Sequence, residues 1–287
     1  MTIGIGVLAT SDDGRKEKRS PDTIVLVADT MGSYEDVDSH ARLHKVIMLP
    51  EDRVYAAIAG DVGKGSQLVP CICTFLREIP RGERTLGKIQ IAIAEGCFQY
   101  KHHLFTLFKL PELRLPPHAF NPNQKLEPEL NERVQAEWAE FDIGCDLLIA
   151  AFDDERKAYR FESNAHQHAV HNRTFPGFAA IGTGGENALF WLSRREHTLG
   201  LLPLRAAYHA YEAKLTAEGS AHVNKHLDMV VATASDHWFC TTHKSLHGEK
   251  EHPEINLVNL KRLLKRHWIR RTDDIGVVSA SAASGQP

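Results

Sequence analysis

Long hydrophobic runs are missing from this sequence, and none approaches the ~20 apolar residues that a membrane-spanning helix needs. The N-terminus also lacks the basic-then-apolar layout of a signal peptide, because Asp12 and Asp13 follow almost at once. Neither sign of charge is in large excess, because 34 Lys and Arg nearly balance 37 Asp and Glu and leave a net charge of −3. That balance gives no electrostatic basis for binding nucleic acid or an anionic membrane. We expect a cytoplasmic protein.

Cysteine is sparse and odd in number, which argues against a disulfide framework and fits reduced, buried thiols. The 17 histidines include no H-E-x-x-H motif, so we interpret them as surface residues and expect no metal and no cofactor. The segment 60–66 resembles a phosphate-binding loop, but Ile58 and Gly65 occupy positions where that motif requires Gly and Ser or Thr. The sequence therefore does not support nucleotide binding.

What is present is an ordinary globular composition, 43% hydrophobic and 25% charged, over 287 residues. Strand patterns and helix patterns occur in runs, which favours an α+β fold of stacked antiparallel sheets covered by helices. We expect one domain over 1–278, with an insertion at about 110–142, a basic helical extension at about 254–271 and a flexible tail over 279–287. Strands are predicted at 3–8, 23–28, 45–49, 53–59, 145–152, 158–162 and 227–232, and helices at 61–78, 84–109, about 131–139, from 182 and 204–217.

The second residue carries the first chemical signal. If Met1 is trimmed, Thr2 becomes the N-terminus at the head of a strand. An N-terminal threonine combines a hydroxyl nucleophile with a base, its own α-amino group. An α-amine titrates near ~7.7–8.0, so an appreciable fraction is unprotonated at neutral pH.

Further motifs follow Thr2 in a fixed order, and together they cover most of the chain up to about residue 232. They are Ile24–Thr30, His44–Val46, Ala57–Gly60, Asp146–Asp153 and Ala180–Gly184. With them the chain resembles the proteasome β-subunit and its bacterial relatives, within the N-terminal nucleophile (Ntn) hydrolases. The resemblance implies a four-layer αββα sandwich of two antiparallel sheets, a threonine-type peptidase or amidohydrolase, and a homo-oligomeric ring that encloses the active sites.

The resemblance also implies roles for single residues. Thr2 is the nucleophile, and Asp29 and Lys45 match the aspartate and lysine that lie beside it. A buried ammonium there stabilises the developing alkoxide and keeps the α-amine unprotonated. Gly60 matches the oxyanion-hole glycine, and Thr183 stands where the family usually has serine. The expected substrate cleft is lined by Met31, Gly32, Ser33 and Ile58.

Some features depart from the family pattern. An aspartate usually precedes the last core strand, but 215–224 contains none, and Glu218 and Ser220 are the candidates to replace it. The loop at 11–22 and the insertion at 110–142 are extra. Only Met1 precedes Thr2, which favours the minor bacterial relatives.

Two alternative functions stay open at this point. One is a catalytically inactive scaffold or binding subunit that retains Met1, and the other is a hydrolase of small amides. The residues do not separate peptide from small-amide substrates, and they identify no ATPase regulator.

Overall fold

The computed structural model describes residues 3–11, 20–30, 44–80, 82–116, 127–163, 170–220, 223 and 225–241, of which Pro50 and 238–241 are described by their backbone alone. The strands are β1 (Ile3–Ala9), β2 (Thr23–Asp29), β3 (Val46–Leu49), β4 (Val54–Gly60), β5 (Cys145–Phe152), β6 (Ala158–Ser163), β7 (Val170–Asn172), β8 (Phe178–Gly182), β9 (Leu227–Thr233) and β10 (His237–Thr241). The α-helices are α1 (Val62–Arg77), α2 (Leu86–Leu104), α3 (Leu110–Glu112), α4 (Pro128–Glu140), α5 (Gly185–Arg194) and α6 (Pro203–Ala217), with a 3₁₀ turn at Pro50–Asp52 and a π-helical turn at Phe105–Lys109.

The strands form two five-stranded sheets in which every pairing is antiparallel. The first sheet has the order β10-β9-β2-β1-β8, and the second has the order β3-β4-β5-β6-β7. The predicted mixture of helices with two antiparallel sheets is therefore confirmed. Three strands were not predicted, namely β7, β8 and β10, and β8 matters most because it completes the first sheet beside β1. Thr2, the extension at 254–271 and the tail at 279–287 lie outside the described residues.

Strand β1 has two very different faces. Its isoleucines Ile3 and Ile5 belong to a buried cluster shared with α5 and α6. On the opposite face stand Gly4 and Gly6, where a Cβ atom would approach Ala57 to 3.1 Å and Leu148 to 2.8 Å on the second sheet. Because these positions carry no side chain, the two sheets approach each other closely here.

Three apolar clusters set the order of the layers. The first cluster lies between α5 and α6 and the first sheet, and the second lies between the two sheets. The third lies between the second sheet and helices α1 and α2, and contains the buried thiols of Cys73, Cys97 and Cys145. Helices thus cover the outer face of each sheet. None of the helices in the described ranges combines the length and apolar character needed to cross a membrane.

The predicted insertion begins with a continuation of α2. The helix passes through the π-helical turn into α3, and α4 then packs against this segment through Phe105, Leu110 and Val134. The Lys101 side chain is fully buried, and its ammonium lies 4.7 Å from the centre of the Trp138 ring. Burial lowers the pKa of Lys101 to about 8. Because α4 spans Pro128–Glu140, the part of the insertion that follows 127 is helical.

Two histidines are buried behind the first sheet. His197 and His209 are 3% and 1% exposed, and their ring centres are 5.6 Å apart. The His197 Nε2 atom lies 3.3 Å from the Leu8 carbonyl oxygen. Burial lowers the pKa of both histidines to about 4. Nearby groups act in the same direction, Arg160 for His197, and His197 followed by Arg205 for His209. These two residues correct the expectation that the histidines are surface residues.

We expect this histidine pair to make the protein sensitive to acid. The unfolded chain binds protons near pH 6.5 and the folded chain only near pH 4, so stability falls as pH drops through that window. Between pH 7.5 and pH 5 the free energy of unfolding should decrease by about 1–2 kcal/mol for each histidine. Urea unfolding at both pH values measures this decrease. In His197→Gln the decrease should be smaller than in the wild type, because one of the two buried histidines is gone.

The matched control is His171→Gln, because His171 is exposed on β7. That variant should keep the full pH dependence of the wild type. Imidazole titration by NMR provides a second measurement. Resonances of His197 and His209 that titrate between pH 6 and 7 would contradict the assignment.

Candidate functional site

One end of each sheet contributes to the candidate site. In the first sheet, Ile3 opens β1, Asp29 closes β2 and Gly182 closes β8. The three residues therefore lie at the same end of the sheet. The register pairs Ile3 with Gly182 and Gly4 with Ala28, so β1 lies between β2 and β8 at that end of the sheet. In the second sheet, Lys45 precedes β3 and Gly60 closes β4, and the antiparallel pairing again brings these two ends together.

A buried ion pair joins these ends of the two sheets. The Lys45 Nζ atom lies 3.0 Å from Asp29 Oδ1, and the two side chains are 1% and 0% exposed. The same Asp29 oxygen accepts a hydrogen bond of 3.0 Å from the backbone N–H of Ile3. Asp29 therefore holds both the ammonium of Lys45 and the first described residue of β1. Because Thr2 is bonded directly to Ile3, this carboxylate anchors the chain immediately after Thr2.

The electrostatics of Lys45 are set by opposing effects. Burial lowers its pKa, because removing water disfavours the ammonium. The charge and hydrogen bond of Asp29 act in the opposite direction, and Asp228 adds a further favourable charge. The Lys45 backbone is also fixed, since its carbonyl oxygen accepts a 2.9 Å hydrogen bond from the Ile58 N–H. A lysine held in this way is a preorganised positive charge.

Gly60 has a backbone conformation that requires glycine. Its φ is +91°, and a Cβ atom would meet the Gly144 carbonyl oxygen at 2.4 Å. The next residue, Asp61, accepts a 3.0 Å hydrogen bond from the Lys64 N–H and caps α1. The segment at 60–66 is thus a strand-to-helix turn whose helix start is occupied by a carboxylate, which disfavours an anion there.

Two other predicted site residues have defined places. Thr183 is exposed and directly follows Gly182, so it lies at the same end of the first sheet as Ile3. Ile58 is fully buried in the cluster beneath α1, where its side chain packs against Gly65. Thr2, Met31, Gly32 and Ser33 lie outside the described residues. The structure thus brings Asp29 and Lys45 into contact and places Gly60 and Thr183 at the ends of their respective sheets.

The candidates for the missing aspartate have their own partners near the end of α6. Glu218 accepts a hydrogen bond from the buried ammonium of Lys214. The Ser220 hydroxyl accepts a 2.8 Å hydrogen bond from the Asn187 side-chain amide. The first contact lies within the end of α6, and the second links α5 to the turn that follows α6.

Sequence reasoning missed one buried carboxylate in this region. Asp228 is fully buried in β9, and its Oδ2 lies 2.8 Å from His44 Nδ1. Its only signal in the sequence is a single charged residue within the otherwise apolar strand Leu227–Ala232. An unexplained charge in a core strand is a reason to look for a buried partner.

No protein-family profile and no curated protein sequence matches this chain at a significant level. Over the described ranges, no group of three or more His, Cys, Asp or Glu side chains is arranged to hold a metal ion. The function is therefore inferred from the geometry where the ends of the two sheets meet at Asp29 and Lys45.

Proposed function

We propose that this chain is a threonine-type Ntn hydrolase that cleaves peptide or amide bonds, with Thr2 as nucleophile and a proteasome β-subunit-like αββα fold. The observation that carries the proposal is the contact of one Asp29 oxygen with both the Lys45 ammonium and the Ile3 N–H. It fixes a buried positive charge close to the residue that follows Thr2. Consecutive Cα atoms are about 3.8 Å apart, so the proposal requires the Thr2 hydroxyl to lie near this charge.

The proposed reaction uses Thr2 itself, the Lys45 ammonium, which stabilises the developing alkoxide, and the backbone N–H of Gly60. The α-amine of Thr2 takes the proton from its own hydroxyl, and Oγ attacks the substrate carbonyl. The backbone N–H of Gly60 donates to the resulting oxyanion, and the amine returns the proton to the leaving nitrogen. Water then hydrolyses the ester bond to Thr2, again with the α-amine as base.

The layer order supports the proposed fold. Helices α5 and α6 cover the first sheet, α1 and α2 cover the second, and the glycine-lined face of β1 lies between the sheets. A homo-oligomeric ring is part of the proposal. Four large apolar side chains on the outer surface of α2 and the adjoining π-helical turn are candidates for contacts between subunits, because such groups mark interaction surfaces. They are Ile91, Phe98, Leu107 and Phe108.

Mass spectrometry of the intact protein tests the proposal directly. The mass should first show that Met1 is absent. Incubation with a peptide epoxyketone should then add one inhibitor per chain, and fragmentation should place the adduct on Thr2, because this electrophile needs both a hydroxyl and a free α-amine.

The control is the same protein with an intact N-terminal tag, which should remain unlabelled. Retention of Met1 together with the absence of any adduct would instead favour the inactive scaffold.

A further inference from the structure

His44 and Asp228 place a second charged pair next to Asp29 and Lys45. His44 precedes Lys45 in the chain, and Asp228 lies on β9, whose register pairs it with Ala28, the neighbour of Asp29. The His44 side chain is 67% exposed, whereas Asp228 is fully buried. The pair therefore runs from the protein surface to the interior at the end of the first sheet where Asp29 lies.

The two oxygens of Asp228 have different surroundings. Oδ2 accepts the hydrogen bond from His44, whereas Oδ1 is buried and has no hydrogen-bond partner among the residues that the structure describes. A buried carboxylate with one unsatisfied oxygen is costly unless a nearby positive charge offsets it. Two groups can supply it. His44 contacts Oδ2 directly. The Lys45 ammonium is bound to Asp29, the neighbour of the residue with which Asp228 pairs, and the charge of Asp228 raises the pKa of Lys45 against the effect of burial.

We propose that Asp228 is a positioning residue that acts together with Asp29 to keep the Lys45 ammonium protonated, and that His44 holds Asp228 in place from the surface. This inference rests on the proposed function, because it assigns Asp228 to the same reaction. It also answers the missing aspartate in a different way from Glu218 and Ser220. The second carboxylate of the site comes from within β9 and not from the segment that precedes it.

The effect on His44 follows from the same contact. The hydrogen bond to Asp228 raises the pKa of His44, and partial burial opposes that change. The other titratable groups near the pair are Lys45 and Asp29, and His226 lies two residues before Asp228. The His44 ring and the Lys45 side chain give separate NMR signals, so the two titrations can be followed separately.

The experiment compares wild type, Asp228→Asn, His44→Ala and the control Glu95→Gln. Glu95 is an exposed carboxylate on α2, on the far side of the second sheet. Titration of the ¹³Cε resonance by NMR gives the pKa of Lys45. In Asp228→Asn this pKa should fall, because an anion that favours the ammonium is removed. Glu95→Gln should leave it unchanged.

Activity adds a second readout of the same change. The alkaline limb of the pH profile of kcat/KM should move to lower pH by the same amount in Asp228→Asn, while KM at neutral pH stays the same. The pKa of His44 should return towards its ordinary value of about 6.5. An unchanged pKa of Lys45 in folded Asp228→Asn overturns the proposal.

His44→Ala decides the matter if Asp228→Asn does not fold, because His44 is largely exposed. Without His44, Asp228 loses the hydrogen bond that holds it in place, so the pKa of Lys45 should fall, in the same direction as in Asp228→Asn. An unchanged or raised pKa of Lys45 in His44→Ala would overturn the proposal. Since both titrations are measured by NMR, they remain decisive even for a protein that shows no amide hydrolysis, and failure of the proposed function is seen separately as absence of turnover.

Discussion

Replacement of Thr2 by alanine is expected to abolish amide hydrolysis and to leave the fold intact. The change removes the nucleophilic hydroxyl and keeps the α-amine, and the Ile3–Asp29 hydrogen bond involves only the backbone of the next residue. Residual turnover should be at least about 10⁴-fold below wild type, because loss of the nucleophile disables the whole catalytic unit. Turnover of a peptide-coumarin or small-amide substrate measures the effect, and circular dichroism reports the fold.

Two further proteins make this test specific. Thr2→Ser keeps a hydroxyl and an α-amine, so it should retain part of the activity. An N-terminal tag keeps the hydroxyl but converts the amine into an amide, so tagged protein should be as inactive as Thr2→Ala. If tagged protein, shown by mass to be intact, turns over substrate as fast as untagged protein, the N-terminal nucleophile mechanism is wrong for this chain.

Replacement of Lys45 should have the second largest effect. Lys45→Met removes the buried ammonium near the proposed nucleophile, and kcat should fall by about 10²–10³ or more, as for other preorganised charges. Lys45→Arg should fail as well, because a planar guanidinium cannot take the place of a compact ammonium in a fully buried position. Lys88→Met is the matched control, since Lys88 is an exposed lysine on α2.

Stability and activity should separate in a double variant. Lys45→Met leaves Asp29 buried without its positive partner, and breaking such a pair costs about 3–5 kcal/mol in the free energy of unfolding. Adding Asp29→Asn removes the unpaired charge while keeping an oxygen for the Ile3 N–H. The double variant should therefore regain stability, measured by urea unfolding, without regaining turnover. Recovery of both would show that Lys45 has only a structural role.

Much of the fold could be predicted because its longer strands are apolar and bounded by clear turns. The strands at 23–28, 145–152 and 227–232 were placed within a residue or two of the observed bounds. Strands β7 and β8 were not predicted. They are three and five residues long, and local pattern alone cannot define such short segments. Their place is fixed by pairing with β6 and β1, which are distant in sequence.

The candidate site divides in the same way. Asp29 and Lys45 were named from the order of the motifs, and the structure brings them together at 3.0 Å. Ile58 was predicted to line a cleft, whereas its side chain packs against Gly65 within the core. The role of Asp228 was missed, because a carboxylate in a strand acquires its partner from another part of the chain, here His44.

The sequence by itself determined the secondary structure of the main elements, the small net charge, the low cysteine content, and the chemical types proposed for the site, namely Thr2, Asp29, Lys45 and Gly60. These are local properties of composition, periodicity and turn chemistry. Only the tertiary structure decided which ends of the two sheets meet, which carboxylates surround Lys45, and which histidines lose contact with water. The reason is physical: burial and charge pairing depend on contacts between residues far apart in the chain, and those contacts exist only after the sheets have packed.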